Sequence, residues 1–224
     1  MIEADERPSL SSVFRLETRA LHSRAERTGI VSDLLRGRAT RRGYAILLRN
    51  LHPAYRQLEI GLERRGGQPG LSALARPEVY RASALAADLV NLCGPDWSQR
   101  LPLLSAGRDY ADRVAAAADE GTGDRLIGHA YVRYFGDLNG GQVLKRRLET
   151  TIGLPPECLS FYDFPAIDDM PTFLRSYREG LDGSALWIAD QSEVVDSALD
   201  AFSLNIELSQ AVQQVALDAP PDPS

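Results

Sequence analysis

Two groups of residues in this chain have types and spacings that could do chemistry. The first is the pair His22 and Glu26, four residues apart in LHSRAE. At that spacing on a helix the carboxylate lies one turn along the same flank. There it can accept a hydrogen bond from the outer ring nitrogen and fix the tautomer of an imidazole that ligates a metal. The same spacing also describes an ordinary surface pair.

The second is YVRYFGDLNGGQVLKRRLE, in which Gly136, Gly140 and Gly141 fall inside what the flanking periodicity marks as helix. Each interior glycine costs about 1 kcal/mol relative to alanine. On an ideal wheel Ile127, Tyr131, Tyr134 and Leu138 cluster within about 60°, while Gly136 and Gly140 lie opposite with His129 and Arg133. A helix bare on one face, and kinked there, lets a flat ligand approach the main chain closely. The competing reading is a helix-ending turn at Asn139 and Gly140, with the KRR that follows starting another helix. A phosphate loop fits worse, because no strand precedes the glycines and the GK[ST] order is absent.

His52 and His129 make neither an HxxxH nor an HExxH site. A lone imidazole does not suit structural zinc. It suits an iron already held by a porphyrin, which needs only an axial ligand.

Apolar residues recur at helical spacing through most of the chain, with no sustained alternation, so the fold is expected to be all-α. The first helix is expected from Ser9–Ser12 to about Thr28, with Gly29 behind it. The second starts at Thr40, carries Tyr44, Leu47, Leu48, Leu51, Tyr55, Leu58 and Leu62 in a 3,4 rhythm, and stops at Gly66 and Gly67. Pro53 should bend or break it near His52. Further helices are expected from Pro77 to before Gly94, Ser105 to Asp119, Asp124 to Thr150, Pro171 onward, and Ser192 to Val215. These form one helical domain over 9–216, between a flexible N-terminus (1–8) and a disordered tail (217–224).

The 224 residues are long enough for a sizeable core, and 44% hydrophobic with 25% charged is ordinary globular composition. A net charge of −6 argues against general nucleic-acid binding. The charge is uneven: residues 1–70 hold 13 Arg against 8 acids, a net of +5, and the remainder carries −11. Lys145 is the one lysine among 25 cations, a bias that points to a GC-rich bacterial genome. Cys93 and Cys158 lack metal-site spacing and read as reduced, buried thiols. With no signal peptide or membrane-length apolar run, a cytoplasmic location is expected.

The segment YVRYFGDLNGGQVLKRR closely resembles the signature of heme oxygenases, and LHSRAE resembles the segment carrying their proximal histidine. Their spacing fits, as do AYR at 54–56, SYR at 176–178 and AFSLNIEL near the C-terminus, so the resemblance covers about residues 10–210. It implies a heme b lying between a proximal helix, whose His22 ligates the iron with Glu26 behind it, and a kinked distal helix with Gly136, Gly140 and Gly141. Asp137 would hold a distal water network that delivers protons to dioxygen, with Arg133 and Tyr55 around it. Arg15, Tyr131 and Arg178, with Arg19 in addition, would meet the propionates. Where many relatives carry a lysine, this chain has Leu174 followed by Arg175.

The resemblance further implies that heme is both cofactor and substrate, cleaved with O2 to biliverdin, carbon monoxide and ferrous iron. No flavin or nicotinamide motif is present, so electrons must come from outside. Arg24, Arg27, Arg36, Arg38, Arg41 and Arg42 could dock an acidic ferredoxin, flavodoxin or reductase, or form an ordinary solvated face. A di-iron oxidase or thiaminase-like enzyme is disfavoured, since the paired Glu and ExxH ligands are missing. A non-catalytic heme carrier or sensor on the same fold is the remaining alternative.

Overall fold

A computed structural model describes residues 8–218, and among these every regular element is helical. The expectations for residues 1–7 and 219–224 lie outside the described residues.

Helix α1 (Leu10–Glu17) starts where Ser9 Oγ accepts from the backbone N–H of Ser12. The expected single helix is divided at Thr18, whose hydroxyl bonds back to the Phe14 carbonyl at 2.7 Å and turns the chain before α2 (Arg19–Ala25). Gly29 does not trail a helix but opens α3 (Gly29–Leu35). Its φ is +65°, and a Cβ there would stand 2.4 Å from the Ser209 backbone carbon, so only glycine allows this approach.

The spine is α4 (Arg41–Arg65), capped by Thr40, whose hydroxyl accepts from Gly43 N–H at 3.0 Å. All seven residues of the expected stripe are buried. Of the expected bend or break at Pro53, the break does not occur: α4 runs through Pro53 as one helix. The apolar groups flanking the proline, Leu51, Ala54 and Tyr55, are all buried, and that packing holds the turn whose hydrogen bond is missing.

The short α5 (Pro69–Ser72) and a 3-10 turn at Pro77–Val79 lead to α6 (Ala82–Cys93). No side chain of its own caps α6; Glu59 Oε1 from α4 accepts from the N–H groups of Arg81 (2.5 Å) and Ala82 (2.8 Å) instead. Then follow α7 (Trp97–Arg100), α8 (Ser105–Asp119) and a turn with Gly121 and Gly123 at positive φ.

The segment from Arg125 to Ile152 is one helical run: α9 (Arg125–Ala130), a π turn at Tyr131–Phe135, α10 (Gly136–Arg147) and a second π turn at Leu148–Ile152. The helix continues through Asn139 and Gly140, so no turn forms there. Two 3-10 turns (156–158, 160–162) precede α11 (Met170–Ser184) and α12 (Gln191–Leu217). Helix α12 packs on α2, α3, α4, α8 and α9, and α4 on α6 and α8. Cys158 is buried as expected, whereas Cys93 is only partly covered.

Candidate active site

Helices α1 and α2 on one side and the π turn with α10 on the other enclose a cavity of about 870 Å³. That volume lies in the range of cofactor pockets. All twelve residues singled out from the sequence line it: Arg15, Arg19, His22, Glu26, Tyr55, Tyr131, Arg133, Gly136, Asp137, Gly140, Gly141 and Arg178. Apolar walls come from Leu47, Leu51, Phe161 and Phe202 among others.

On the α2 side, the His22 side chain is 59% exposed and turned edge-on to Phe202, ring centroids 5.9 Å apart. Glu26 Oε1 stands 3.8 Å from His22 Nδ1, beyond hydrogen-bond length, so the expected link is a proximity and not a bond. Arg15, Arg19 and Arg178 are exposed at the mouth. Tyr131 stacks on Phe14 at 4.5 Å. Burial raises its hydroxyl's pKa, against the opposing influence of Thr18, Arg15 and Arg178.

Across the cavity the polar groups are bonded to one another. The Tyr55 hydroxyl donates to Asp137 Oδ2 at 2.6 Å. Burial pushes the Asp137 carboxyl up to about 6, although Arg133, the Tyr55 bond and Arg81 each pull it down. Arg133 donates to Asn205 Oδ1 at 3.0 Å and lies against the rings of Tyr55 and Tyr110, 5.7 and 6.0 Å from their centroids. Burial alone would lower Arg133, but Tyr110, Tyr55 and Asp137 together hold it above its ordinary value. Its buried Nε has no hydrogen-bond partner among the described residues.

The glycines test what the cavity is for. A Cβ on Gly136 or Gly140 would meet no heavy atom within 4 Å, so protein packing does not require glycine at either position. The space that side chains would fill is open cavity. Gly141 differs: its Cβ would stand 3.2 Å from Tyr162 Cδ1. The wide π turn also overturns part of the ideal-wheel argument. His129, expected on the glycine face, is fully buried against Tyr110, and burial lowers it to about 4. A π turn adds a residue to the helical turn, so a constant 100° step misplaces what precedes it.

Sequence reasoning missed Asn205 and the pair Phe161–Tyr162. Asn205 left one signal, an amide in the apolar stripe of α12; the 160s segment left none, since its position depends on contacts distant in sequence.

A slot between two helices, with an imidazole on one wall, bare backbone and a half-buried carboxylate on the other, and arginines at the mouth, defines a helical protein whose cavity can take a flat anionic ligand. The heme oxygenase family model matches residues 8–211. Heme oxygenase 1 of Synechocystis sp. is 35% identical over 89% of this chain and 83% of its own length. The rat heme oxygenase 1 is 33% identical over 96% and 75%. Among solved structures, the Synechocystis heme oxygenase-1 in complex with heme superposes with a TM-score of 0.86 at 31% identity, covering 94% of this chain and 95% of that one. The heme oxygenase from Leptospira interrogans gives 0.83 at 31% identity, over 91% of this chain and 100% of that one. The chain belongs to the heme oxygenase family.

Proposed function

We propose that this cavity is the heme site of a working heme oxygenase, in which heme is oxidised by dioxygen with external electrons to biliverdin, carbon monoxide and ferrous iron. The observation that carries the assignment is the pairing of one imidazole, His22, with a helix whose Gly136 and Gly140 face open cavity. Heme supplies the iron that binds oxygen and the macrocycle that is cut.

The chain's own residues do the rest. His22 would ligate the iron, and Glu26, 3.8 Å from its Nδ1, is the carboxylate that would orient the ring. Arg15, Arg19, Tyr131 and Arg178 bind the carboxylates at the mouth, where paired charges exclude water and gain over those in free solution. Leu174 and Arg175 do not line this cavity, and Arg175 donates to the Thr172 hydroxyl at 3.1 Å. Asp137, held by Tyr55 and poised by burial near neutrality, accepts and returns protons at its carboxylate, and Arg133 with Asn205 fixes that arrangement. This proton-handling group favours an enzyme over a heme carrier or sensor, which would need no such carboxylate.

The electron donor is an acidic protein, a ferredoxin, flavodoxin or reductase, meeting an arginine-rich face. Arg24, Arg27, Arg36, Arg38, Arg41 and Arg42 are all exposed, although Arg38 is paired with Asp33 at 2.7 Å. Raising salt should slow donor-supported turnover and leave heme affinity nearly unchanged; equal sensitivity of both removes the docking idea. A cytoplasmic location accords with an acidic chain in which no described helix is long and apolar enough to cross a membrane.

The test of the function is the absorption spectrum with one equivalent of hemin, followed during reduction in air. A Soret band that decays into a biliverdin product supports the enzyme. A Soret band that persists under reductant and oxygen would make the protein a heme binder only.

A further inference from the structure

One wall of the cavity is built by a segment that belongs to no long helix. Phe161 and Tyr162 line the pocket from a single 3-10 turn, Ser160–Tyr162. The Phe161 ring meets Tyr55 edge-on at 5.6 Å, and Tyr55 holds Asp137. The wall therefore abuts both the ligand space and the group that handles protons. A three-residue turn has no intrinsic rigidity, so something outside it must fix its position.

That fixture is Asp88 of α6, which is fully buried. One carboxylate oxygen accepts from the Ser160 N–H at 2.9 Å and from the Ser160 hydroxyl, and the other accepts from the Phe161 N–H at 2.9 Å. The bonds go to backbone and to an adjacent hydroxyl, so they set where the turn lies. On the far side the turn is tied to α10: Gln142 donates to the Tyr162 carbonyl at 2.8 Å, and Lys145 pairs with Asp163 at 2.6 Å. A buried carboxylate is costly, and the packing of α6 itself has no use for one. Its cost is offset by three hydrogen bonds made to this turn alone.

We propose that Asp88 is a positioning residue that places the Phe161–Tyr162 wall and thereby decides which meso carbon of bound heme is presented for cleavage. The proposal rests on the assignment of the cavity as the heme site. At the mouth, Arg15, Arg19 and Arg178 are exposed, flexible side chains that can follow a carboxylate through a rotation of the macrocycle in its plane. The aromatic wall cannot follow, because both ends of its turn are fastened. Rotational choice is therefore made against the wall, and a shift of a fraction of an ångström there changes which edge faces Asp137.

The experiment compares wild type, Asp88→Asn, Asp88→Ala and Ser160→Ala, each loaded with hemin. Proton NMR of the cyanide-ligated ferric form reports in-plane heme orientation before any turnover, and chromatography of the product reports the biliverdin isomers. In Asp88→Ala the heme methyl pattern changes and the minor orientation or isomer grows by about threefold or more, while heme affinity stays within about threefold of wild type. Asp88→Asn, which keeps an acceptor oxygen, lies between Asp88→Ala and wild type. Should Asp88→Ala fail to fold, Ser160→Ala, lacking one of the three bonds, must show the same shift more weakly. Wild-type orientation and isomer ratio in whichever of these variants folds overturn the Asp88 proposal alone. An unchanged heme spectrum in His22→Ala overturns the cavity assignment and the proposal with it.

Discussion

The two faces of the cavity are built to opposite plans. On the α2 face His22 and Glu26 are 59% and 55% exposed, and they stand 3.8 Å apart without a bond. On the α10 face Asp137 accepts from Tyr55 at 2.6 Å, and Arg133 is bonded to Asn205 between two tyrosine rings. The first face is completed by what it binds. The second has its Tyr55–Asp137 and Arg133–Asn205 bonds in place beforehand, the preorganisation that the proposed proton handling calls for, since dipoles already set need no rearrangement during a reaction. The contrast predicts that substitutions on the two faces divide differently between stability of the empty protein and handling of heme.

The largest effect is expected from His22→Ala. An exposed imidazole contributes little to folding, so the ligand-free variant should match wild-type stability to within about 0.5 kcal/mol. Turnover should fall on the order of 100-fold or more, the axial ligand being worth more than an outer-shell partner. Urea melts measure the first quantity and hemin titrations with reductant the second; added imidazole should restore part of the spectrum. A wild-type Soret band without added imidazole would mean that a group other than His22 ligates, and the assignment of this cavity as the heme site would fall with it.

Gly140→Leu comes next and divides in the same sense with the opposite sign. No heavy atom opposes a Cβ there, and leucine is the better helix former. The ligand-free protein should gain about 0.5–1 kcal/mol, while heme affinity drops roughly tenfold or more as the side chain fills the slot. Loss of stability with unchanged heme affinity would show that the glycine serves helix packing.

Much of this was legible in the sequence, and the failures have physical causes. The helix start at Thr40, the stop before Gly66 and the buried stripe of α4 are local consequences of capping and periodicity, which sequence carries directly; at α8 the start lies at Ser105 as expected, but Leu104 holds the cap position and Ser105 caps nothing. The glycine face of α10 was legible for the same reason, since three interior glycines conflict with local propensity. Tertiary packing decided two points that local sequence did not: buried neighbours hold the helix through Pro53, so no break occurs, and Gly29 opens α3 where α12 approaches its backbone. His129 was misplaced because nothing in the residue types announces a π turn. Asp88 and Phe161 lie 73 positions apart and meet only in the fold.

A third substitution isolates the cost of the α10 face in the ligand-free protein. Asp137 is pushed up to about 6 from an ordinary 3.8, first by burial. The folded state therefore binds more protons than the unfolded chain between these values. By linkage, stability falls as pH rises through about 4 to 6 and then levels off. Asp137→Asn keeps an acceptor for the Tyr55 hydroxyl and removes the ionisation. The ligand-free variant and wild type should be nearly equal near pH 4, and the variant should be more stable by up to about 3 kcal/mol at pH 7. The raised carboxyls of Glu59 and Asp88 act with the same sign but are common to both proteins and cancel in the difference. Paired thermal melts across pH 4 to 8 measure it. A stability difference that does not change with pH would mean that Asp137 ionises in the fold as freely as in water, and the α10 face would then lose its claim to a prepared proton acceptor.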